Sequence, residues 1–212
     1  FIKNKLSKNI KLDYINKKNS PTIVKKRFID EVNKSKILGV YSLNDDFISL
    51  QEEKKLINKF LKIKSDLVIL SDYGHGMFTK KFLKTIKSKS KFIAANVQIN
   101  AANIGHHSLE NYKNVDFMII NEKELRHEMR SKNESTPVLM KLLSKKLHLK
   151  YLVVTRGESG SILYENKNKT FIESQAYASK VIDKVGAGDT MLAIMSIFLF
   201  NKVDLNLSLL IA

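Results

Sequence analysis

The fold of this chain is decided by residues 67–76, which read LVILSDYGHG. The first four residues are apolar without interruption, a pattern that predicts a short strand buried on both of its faces. The residues that follow favour a turn, so the strand should end near Ser71. Such a strand is typical of the centre of a parallel sheet, with its loop at the carboxyl edge of that sheet.

Further strands and helices alternate along the chain around this segment. Helices are predicted over 50–63, 79–89, 109–112, 122–130, 137–147 and from about Gly188, strands over 92–97, 117–120 and 151–155, and two hairpins over 22–41 and 161–172. This alternation predicts an α/β fold with a doubly wound, mostly parallel sheet flanked by helices. Neither a repeat nor a low-complexity linker interrupts it, so residues 1–212 are expected to form a single domain.

Composition and charge exclude several classes of protein. The 212 residues include 43% hydrophobic residues, which argues against a disordered chain, and a net charge of +16. Only four of the 37 basic residues are Arg, and they form no Arg-rich cluster with interleaved aromatics, which argues against nucleic-acid binding. The apolar run over 191–200 is shorter than the roughly 20 residues of a membrane span. The absence of Cys excludes disulfides and thiolate chemistry and agrees with a reducing, cytoplasmic location.

Six of the eight glycines occur in three short loops, each of which follows a predicted strand. They are Gly74 and Gly76, Gly157 and Gly160, and Gly186 and Gly188. Open α/β sheets bind their ligands at the carboxyl ends of the strands. The three loops are therefore expected to line one site.

The most informative of these loops is Gly186-Ala187-Gly188-Asp189, which leads directly into an apolar helix. Small residues at a helix start leave backbone N–H groups uncovered, and the helix dipole favours an anion such as a phosphate there. A carboxylate in the same turn is placed to take a proton from an attacking hydroxyl. The alternative is that Asp189 only caps the helix, because Asp is favoured near helix N-termini.

The chain resembles the ribokinase-like (PfkB) carbohydrate kinases, whose C-terminal signature ends in Gly-Ala-Gly-Asp before a helix. Within that family it is most similar to the kinase domain of the bifunctional ADP-heptose synthesis (heptose-7-phosphate kinase) proteins. The similar segments are PTIVK (21–25), LSDYG (70–74), NEKEL (121–125) and VTRG (154–157). They follow the order of the family and span most of residues 20–200. The resemblance implies a ribokinase-like fold that phosphorylates a sugar or sugar-phosphate hydroxyl with ATP and Mg²⁺.

The resemblance also assigns roles to individual residues. Asp189 would be the catalytic base, and the N–H groups of Gly186, Ala187 and Gly188 would form the anion hole for the transferred phosphoryl group. Thr155, Gly157, Gly160 and Asn121 would contact the nucleotide, and Glu124 with Asn121 would position Mg²⁺ and its waters.

Two of these assignments have simpler alternatives. Asn121 and Glu124 also fit an ordinary capping box at an exposed helix start. Thr155, Gly157 and Gly160 also fit a hairpin turn.

Three positions depart from the family pattern. Val185 replaces the Thr that precedes the Gly-Ala-Gly-Asp signature, residues 96–100 (NVQIN) lack the Asp and Lys of heptose kinases, and His75 replaces a Lys. The last two changes remove charge where a phosphorylated sugar is expected, so we expect an unphosphorylated or differently phosphorylated sugar to be accepted at least as well as heptose 7-phosphate. His75 could instead hydrogen-bond its loop, and His106 and His107 are interpreted as surface residues.

The resemblance covers part of a kinase domain. The family's N-terminal sugar-binding segment, with its Gly-Gly-x-x-x-Asn string, and its last helices are expected to lie outside residues 1–212. The resemblance is compatible with a homodimer and with a nucleotidyltransferase domain fused in the full-length chain. The alternative function is a catalytically silent nucleotide-binding or interaction domain of the same fold, which Val185 would favour and Asp189 argues against.

Overall fold

The computed structural model describes residues 2–33, 35–99, 107–177 and 186–212. The chain divides into two compact units. The first unit comprises residues 1–63 and 75–82, and the second comprises residues 64–74 and 83–212.

The first unit contains a two-stranded sheet and a helix. Strands β1 (Val24–Ile29) and β2 (Lys36–Ser42) pair antiparallel, which confirms the predicted hairpin. Helix α1 (Leu50–Leu61) begins at Ser49, whose side chain accepts from the Glu52 N–H while the Glu52 carboxylate accepts from the Ser49 N–H. This capping box satisfies two N–H groups that the helix itself cannot pair. A short 3₁₀ turn spans Ile2–Lys5.

The second unit is built on a six-stranded sheet whose strands lie side by side in chain order. Strands β3, β4, β5 and β6 run parallel, and β7 and β8 continue the sheet antiparallel. The strands are β3 (Leu67–Asp72), β4 (Phe92–Val97), β5 (Phe117–Asn121), β6 (Tyr151–Thr155), β7 (Ser161–Glu165) and β8 (Thr170–Ser174). The helices that follow α1 in the chain are α2 (Lys80–Lys89), α3 (Glu122–Glu128), α4 (Thr136–Leu147), α5 (Ala187–Phe200) and α6 (Leu205–Ile211).

Helices cover the sheet because alternate residues of each buried strand point to opposite faces. On one face, Phe117 and Ile119 of β5 and Val153 of β6 form a core cluster with residues of α5, including Leu192 and Met195. The neighbouring residues of these strands are buried as well, and α3 and α4 contact β5 and β6. The mostly parallel sheet flanked by helices confirms the predicted fold class.

Two elements differ from the sequence prediction or refine it. Strand β3 continues through Ser71 to Asp72, so both residues belong to the sheet edge. Residues Leu109–Tyr112 form a single 3₁₀ turn rather than an α-helix. Among the described residues, no helix has the length and apolar character needed to cross a membrane.

Candidate active site

Polar residues lie at, or one position before, the ends of the four parallel strands at one edge of the second unit. Ser71 of β3 lies beside Asn96 of β4 in the strand register, and Asn121 of β5 lies beside Thr155 of β6. Because Asn96 lies beside Ile119, the four residues form a staggered row across the carboxyl edge in which Asn121 and Thr155 are two residues further along their strands. This is the edge at which open α/β sheets bind their ligands.

Asp189 joins this row from the start of α5. The helix begins after Gly186, which adopts a left-handed conformation with φ +87°. Asp189 is the third residue of the helix, and its carboxylate accepts hydrogen bonds from two hydroxyls outside the helix. The Ser71 hydroxyl lies 3.2 Å from Oδ1 and the Tyr73 hydroxyl lies 3.0 Å from Oδ2. The carboxylate thus faces the end of β3, as a base acting at this edge requires.

The glycines beside Asp189 leave the helix start open. Of the described residues, none has an atom within 4 Å of the position that a side chain at Gly186 would occupy, and a side chain at Gly188 would contact only Asn96 Nδ2, at 3.5 Å. Gly186 is therefore required by its positive φ rather than by crowding. The first N–H groups of an α-helix have no acceptor within it, so an anion could approach them here. Val185, the residue that departs from the family pattern, lies outside the described residues.

Asp72 lies between the two residues that bind Asp189 and is itself buried. Its carboxylate accepts from the Tyr112 hydroxyl and, at 2.8 Å, from the Gly74 N–H. Burial, together with the adjacent Asp72 charge, raises the pKa of Tyr112, so the phenol remains a hydrogen-bond donor. His107 Nε2 lies 3.4 Å from Asp72 Oδ2, and only 15% of the His107 side chain is exposed. The interpretation of His107 as a surface residue was therefore wrong, and His106 lies outside the described residues.

Asn121 and Glu124 form the capping box that the sequence left as one alternative. The Asn121 side chain accepts from the Glu124 N–H, and Glu124 Oε2 accepts from the Asn121 N–H, both at 2.9 Å. Glu124 Oε1 also accepts from the Ile99 N–H at 3.3 Å. Glu124 is buried, with 8% of its surface exposed. The expectation that this residue is exposed at the helix start was therefore wrong.

Burial also sets the charge properties of Glu124. Desolvation raises the pKa of its carboxyl group, against the N–H donors of Asn121 and Ile99, which lower it. A nearby cation would favour the charged form that burial disfavours. The capping role and a role toward a cation are therefore compatible.

Thr155 ends β6 and is followed by a tight turn. Residues Gly157–Ser159 form a 3₁₀ turn, and Arg156 N–H donates to the Gly160 carbonyl at 2.7 Å. Gly160 has φ +77°, and a side chain there would stand 2.0 Å from the Ser174 carbonyl oxygen. The turn needs glycine at this position because both the backbone conformation and the approach of Ser174 exclude a side chain.

His75 belongs to the first unit. Its ring Nδ1 lies 2.7 Å from Asp45 Oδ1, so the ring pairs with a carboxylate rather than with the loop backbone. Lys17 Nζ donates to the Asn44 carbonyl at 2.8 Å and to the Asp46 carbonyl. Both basic groups are thus engaged by oxygens of their own unit.

The sequence prediction did not identify Ser71, Asp72 and Tyr73 as members of the site. All three occur in the segment LVILSDYGHG, directly after its apolar run. Polar residues at the end of a buried parallel strand are a signal that could have identified them.

The chain is similar in sequence to carbohydrate kinases along its whole length. The pfkB family of carbohydrate kinases matches residues 1–212. The bifunctional protein HldE of Campylobacter jejuni subsp. doylei is 28% identical over 212 residues, covering 94% of this chain and 42% of the relative. The bifunctional protein HldE of Nitratiruptor sp. is 30% identical over 189 residues, covering 85% of this chain and 37% of the relative. The chain thus spans about two fifths of the length of these curated relatives.

Solved structures share the fold at lower sequence identity. Ribokinase from Giardia lamblia has a TM-score of 0.66 and 20% identity, covering 86% of this chain and 57% of that chain. Arabidopsis thaliana ribokinase, solved in complex with ribose and ATP, has a TM-score of 0.61 and 18% identity, covering 90% and 60% of the two chains. Phosphofructokinase-2 from Escherichia coli has a TM-score of 0.64 and 16% identity, covering 81% and 57%.

Proposed function

Because the chain belongs to the pfkB family of carbohydrate kinases, we propose that the complete protein transfers the γ-phosphoryl group of ATP to a hydroxyl of a sugar or sugar phosphate. The observation that carries this proposal is the position of Asp189. Its carboxylate stands at the open start of α5 and faces the polar carboxyl edge of the sheet. The base that would accept the proton of the sugar hydroxyl therefore lies next to the helix start that would bind the transferred phosphoryl group.

In the proposed reaction, Asp189 takes the proton of the sugar hydroxyl as its oxygen attacks the γ-phosphorus. The new P–O bond forms as the bond between the γ-phosphorus and the bridging oxygen of ADP breaks. The N–H groups of Gly186, Ala187 and Gly188 stabilise the negative charge on the transferred phosphoryl oxygens. These N–H groups and the carboxylate belong to one helix turn, so their relative positions are fixed before substrate binds.

The row of strand ends provides a path for the nucleotide. From Ser71 on β3 to Thr155 on β6 there are three inter-strand steps and a stagger of two residues, or about 16 Å at the usual strand geometry. This length is enough for an extended triphosphate between the turn at Gly157 and Gly160 and the base at Asp189. We propose that Thr155, Asn121, Gly157 and Gly160 contact the nucleotide along this row.

Magnesium fits the residues present if it also draws on phosphate and water. Among the described residues, no group of three His, Cys, Asp or Glu side chains could hold a metal ion by itself. Mg²⁺ is usually bound by one or two carboxylates together with substrate phosphates and waters. The buried Glu124 carboxylate next to Asn121 fits this pattern, and bound Mg²⁺ would neutralise charge on the nucleotide phosphates.

The end of β4 bears on the choice of sugar. A phosphate at the far end of the sugar requires a cation or several N–H donors, since leaving it unpaired is costly. The end of β4 offers Asn96, whose side chain is neutral and supplies no cation. We propose that an unphosphorylated or differently phosphorylated sugar is accepted at least as well as heptose 7-phosphate.

The partners of the complete protein follow from its length and its surface. The relatives are named bifunctional and are more than twice as long as this chain, so we propose a fused nucleotidyltransferase domain and a single partial kinase domain over residues 1–212.

We also propose a homodimer. One face of the β1–β2 hairpin presents Val24, Phe28, Leu38 and Val40, each between 43% and 53% exposed, beside Lys26 and Ser42. A two-stranded hairpin is marginally stable in water, and a second copy would cover this face.

The experiment uses the full-length protein with Mg-ATP and a panel of aldoses, ketoses and their phosphates. Sugar-dependent ADP release and the mass of the phosphorylated product would be measured, with kcat/KM determined for each acceptor. Formation of a sugar phosphate supports the kinase function. Nucleotide binding without any sugar-dependent turnover would instead support the silent nucleotide-binding domain, and a strong preference for heptose 7-phosphate would contradict the proposed substrate class.

A further inference from the structure

We infer that Ser71 and Tyr73 are positioning residues that orient the Asp189 carboxylate, and that buried Asp72 holds both of them in place. This inference rests on the proposed role of Asp189 as the base. Ser71 and Asp72 end β3 and Tyr73 follows them, and none of the three touches the transferred phosphoryl group in the proposed reaction.

The two hydroxyls bind different oxygens of the same carboxylate. Ser71 donates to Oδ1 at 3.2 Å and Tyr73 donates to Oδ2 at 3.0 Å. One donor on each oxygen fixes the rotation of the carboxylate about its Cβ–Cγ bond, which a single hydrogen bond would leave free. An ionised carboxylate can accept about four hydrogen bonds, so lone pairs remain for the hydroxyl of the substrate.

Both groups that donate to Asp189, the hydroxyls of Ser71 and Tyr73, are uncharged, which suits a carboxylate that acts as a base. An Arg or Lys partner would form an ion pair, which favours the charged carboxylate and opposes its protonation during the reaction. Ser and Tyr hydroxyls orient the group without adding a positive charge. The two hydroxyls therefore fix the direction of the carboxylate without placing a positive charge beside it.

Asp72 supplies the rigid support for these two residues. Neighbouring side chains of an extended chain point in opposite directions, so Asp72 turns inward where Ser71 and Tyr73 turn toward Asp189. Its buried carboxylate accepts from the Tyr112 hydroxyl and from the Gly74 N–H. The first contact joins the end of β3 to the turn at Leu109–Tyr112, and the second closes the loop directly after Tyr73.

The test compares Tyr73→Phe and Ser71→Ala in the full-length enzyme, each assayed with the best sugar of the panel. Both residues are exposed, so the variants should fold. Matched controls are Tyr151→Phe, at the end of β6 opposite Thr155, and Ser65→Ala, which lies before β3.

We expect each site variant to lower kcat about five- to twentyfold, the effect of losing one hydrogen bond to a charged group at an exposed site. The KM for ATP should stay within about twofold, and Ser71→Thr, which keeps the hydroxyl, should restore most of the turnover.

A second arm combines Tyr73→Phe with Asp189→Asn. If Tyr73 acts through Asp189, the double variant should turn over no more slowly than Asp189→Asn alone. An unchanged kcat in both single variants, or an equal further loss in the Asp189→Asn background, would overturn the positioning role while leaving the kinase function intact. Full turnover by Asp189→Asn would overturn the base itself and, with it, this inference.

Discussion

The Tyr73 hydroxyl donates a hydrogen bond to Asp189 Oδ2 at 3.0 Å, although the two residues are 116 positions apart in the chain. Tyr73 follows β3, and Asp189 lies in the first turn of α5. The contact forms because α5 packs across β3, β4 and β5, which brings the start of the helix to the end of the first strand of the sheet. The position of the proposed base therefore depends on the packing of α5 against the sheet.

Replacement of the proposed base tests the mechanism. We expect Asp189→Asn in the full-length protein to lower kcat by about 10²- to 10⁴-fold, the usual contribution of a general base, while ATP binding is retained. Steady-state turnover and nucleotide titration measure the two effects. Asp204→Asn is the matched control, because Asp204 caps α6 by accepting from the Leu207 N–H. The Asp189 side chain caps no N–H group of α5, so equal loss of activity in both variants would indicate a general effect of removing a carboxylate at a helix start and would contradict its role as the base.

Glu124→Gln separates the metal role from the capping role. Gln can still accept from the Asn121 N–H, but its NH₂ group then faces the Ile99 N–H, and the negative charge toward Mg²⁺ is lost. We expect the Mg²⁺ concentration at half-maximal activity to rise several-fold, with a drop in melting temperature no larger than that of the control variant. Glu52→Gln is the control, since Glu52 occupies the same position in the capping box of α1. A Glu124→Gln protein that only loses stability would assign Glu124 to capping alone.

Two glycines with similar backbone conformations should respond differently to a methyl group. Gly160→Ala adds both a left-handed strain and a clash with the Ser174 carbonyl, whereas Gly186→Ala adds the strain alone. We expect Gly186→Ala to lower the free energy of unfolding by about 1–2 kcal/mol and Gly160→Ala to lower it by more than about 3 kcal/mol. Thermal unfolding of the full-length variants measures the difference. Equal melting temperatures would show that the turn at Gly160 can move away from Ser174.

The pH dependence of stability should reveal the environment of Glu122. Thr136 Oγ1 donates to Glu122 Oε1 at 2.5 Å and Arg126 Nη2 lies 2.9 Å from it, and together they lower the pKa of Glu122 from its ordinary value. A carboxyl group whose pKa is lower in the folded state stabilises the protein above its unfolded pKa, and this contribution is lost as the pH falls through the folded value.

The melting temperature of the native protein should therefore exceed that of Glu122→Gln at pH 7, and the gap should close as the pH is lowered below about 4.5. Glu31→Gln, in the exposed turn after β1, is the control. A gap that stays constant with pH would indicate a packing effect of the substitution rather than the loss of these hydrogen bonds.

The proposed homodimer can be tested on the exposed face of the β1–β2 hairpin. Phe28→Glu replaces the one aromatic side chain of this face, which also carries Lys26, by a carboxylate, and burying that carboxylate in place of the ring between two copies would be costly. We expect light scattering to show a shift from dimer to monomer at equal concentration. Phe47→Glu introduces the same change at a loop residue that is 70% exposed, and it should leave the dimer unchanged. A dimer that persists in both variants would exclude this face as the interface.

The order of strands and helices could be predicted from the sequence because it depends on neighbouring residues. The apolar run at 67–70 marked β3, and the small residues before Met191 marked the start of α5. The same local reasoning indicated the capping box of Asn121 and Glu124, since both partners lie within one helical turn. The same reasoning identified Asp189 as a candidate catalytic residue, because it directly follows the glycine-rich segment Gly186–Gly188 in the sequence.

Contacts between distant segments were decided only by the tertiary structure. The hydroxyls of Ser71 and Tyr73 on Asp189, the burial of Glu124, and the placement of His107 beside Asp72 depend on which elements pack together. Sequence periodicity specifies which face of an element is apolar, but not which neighbour covers it. The residue types at this site therefore followed from the sequence, and their partners followed from the packing of α5 and β3 at one edge of the sheet.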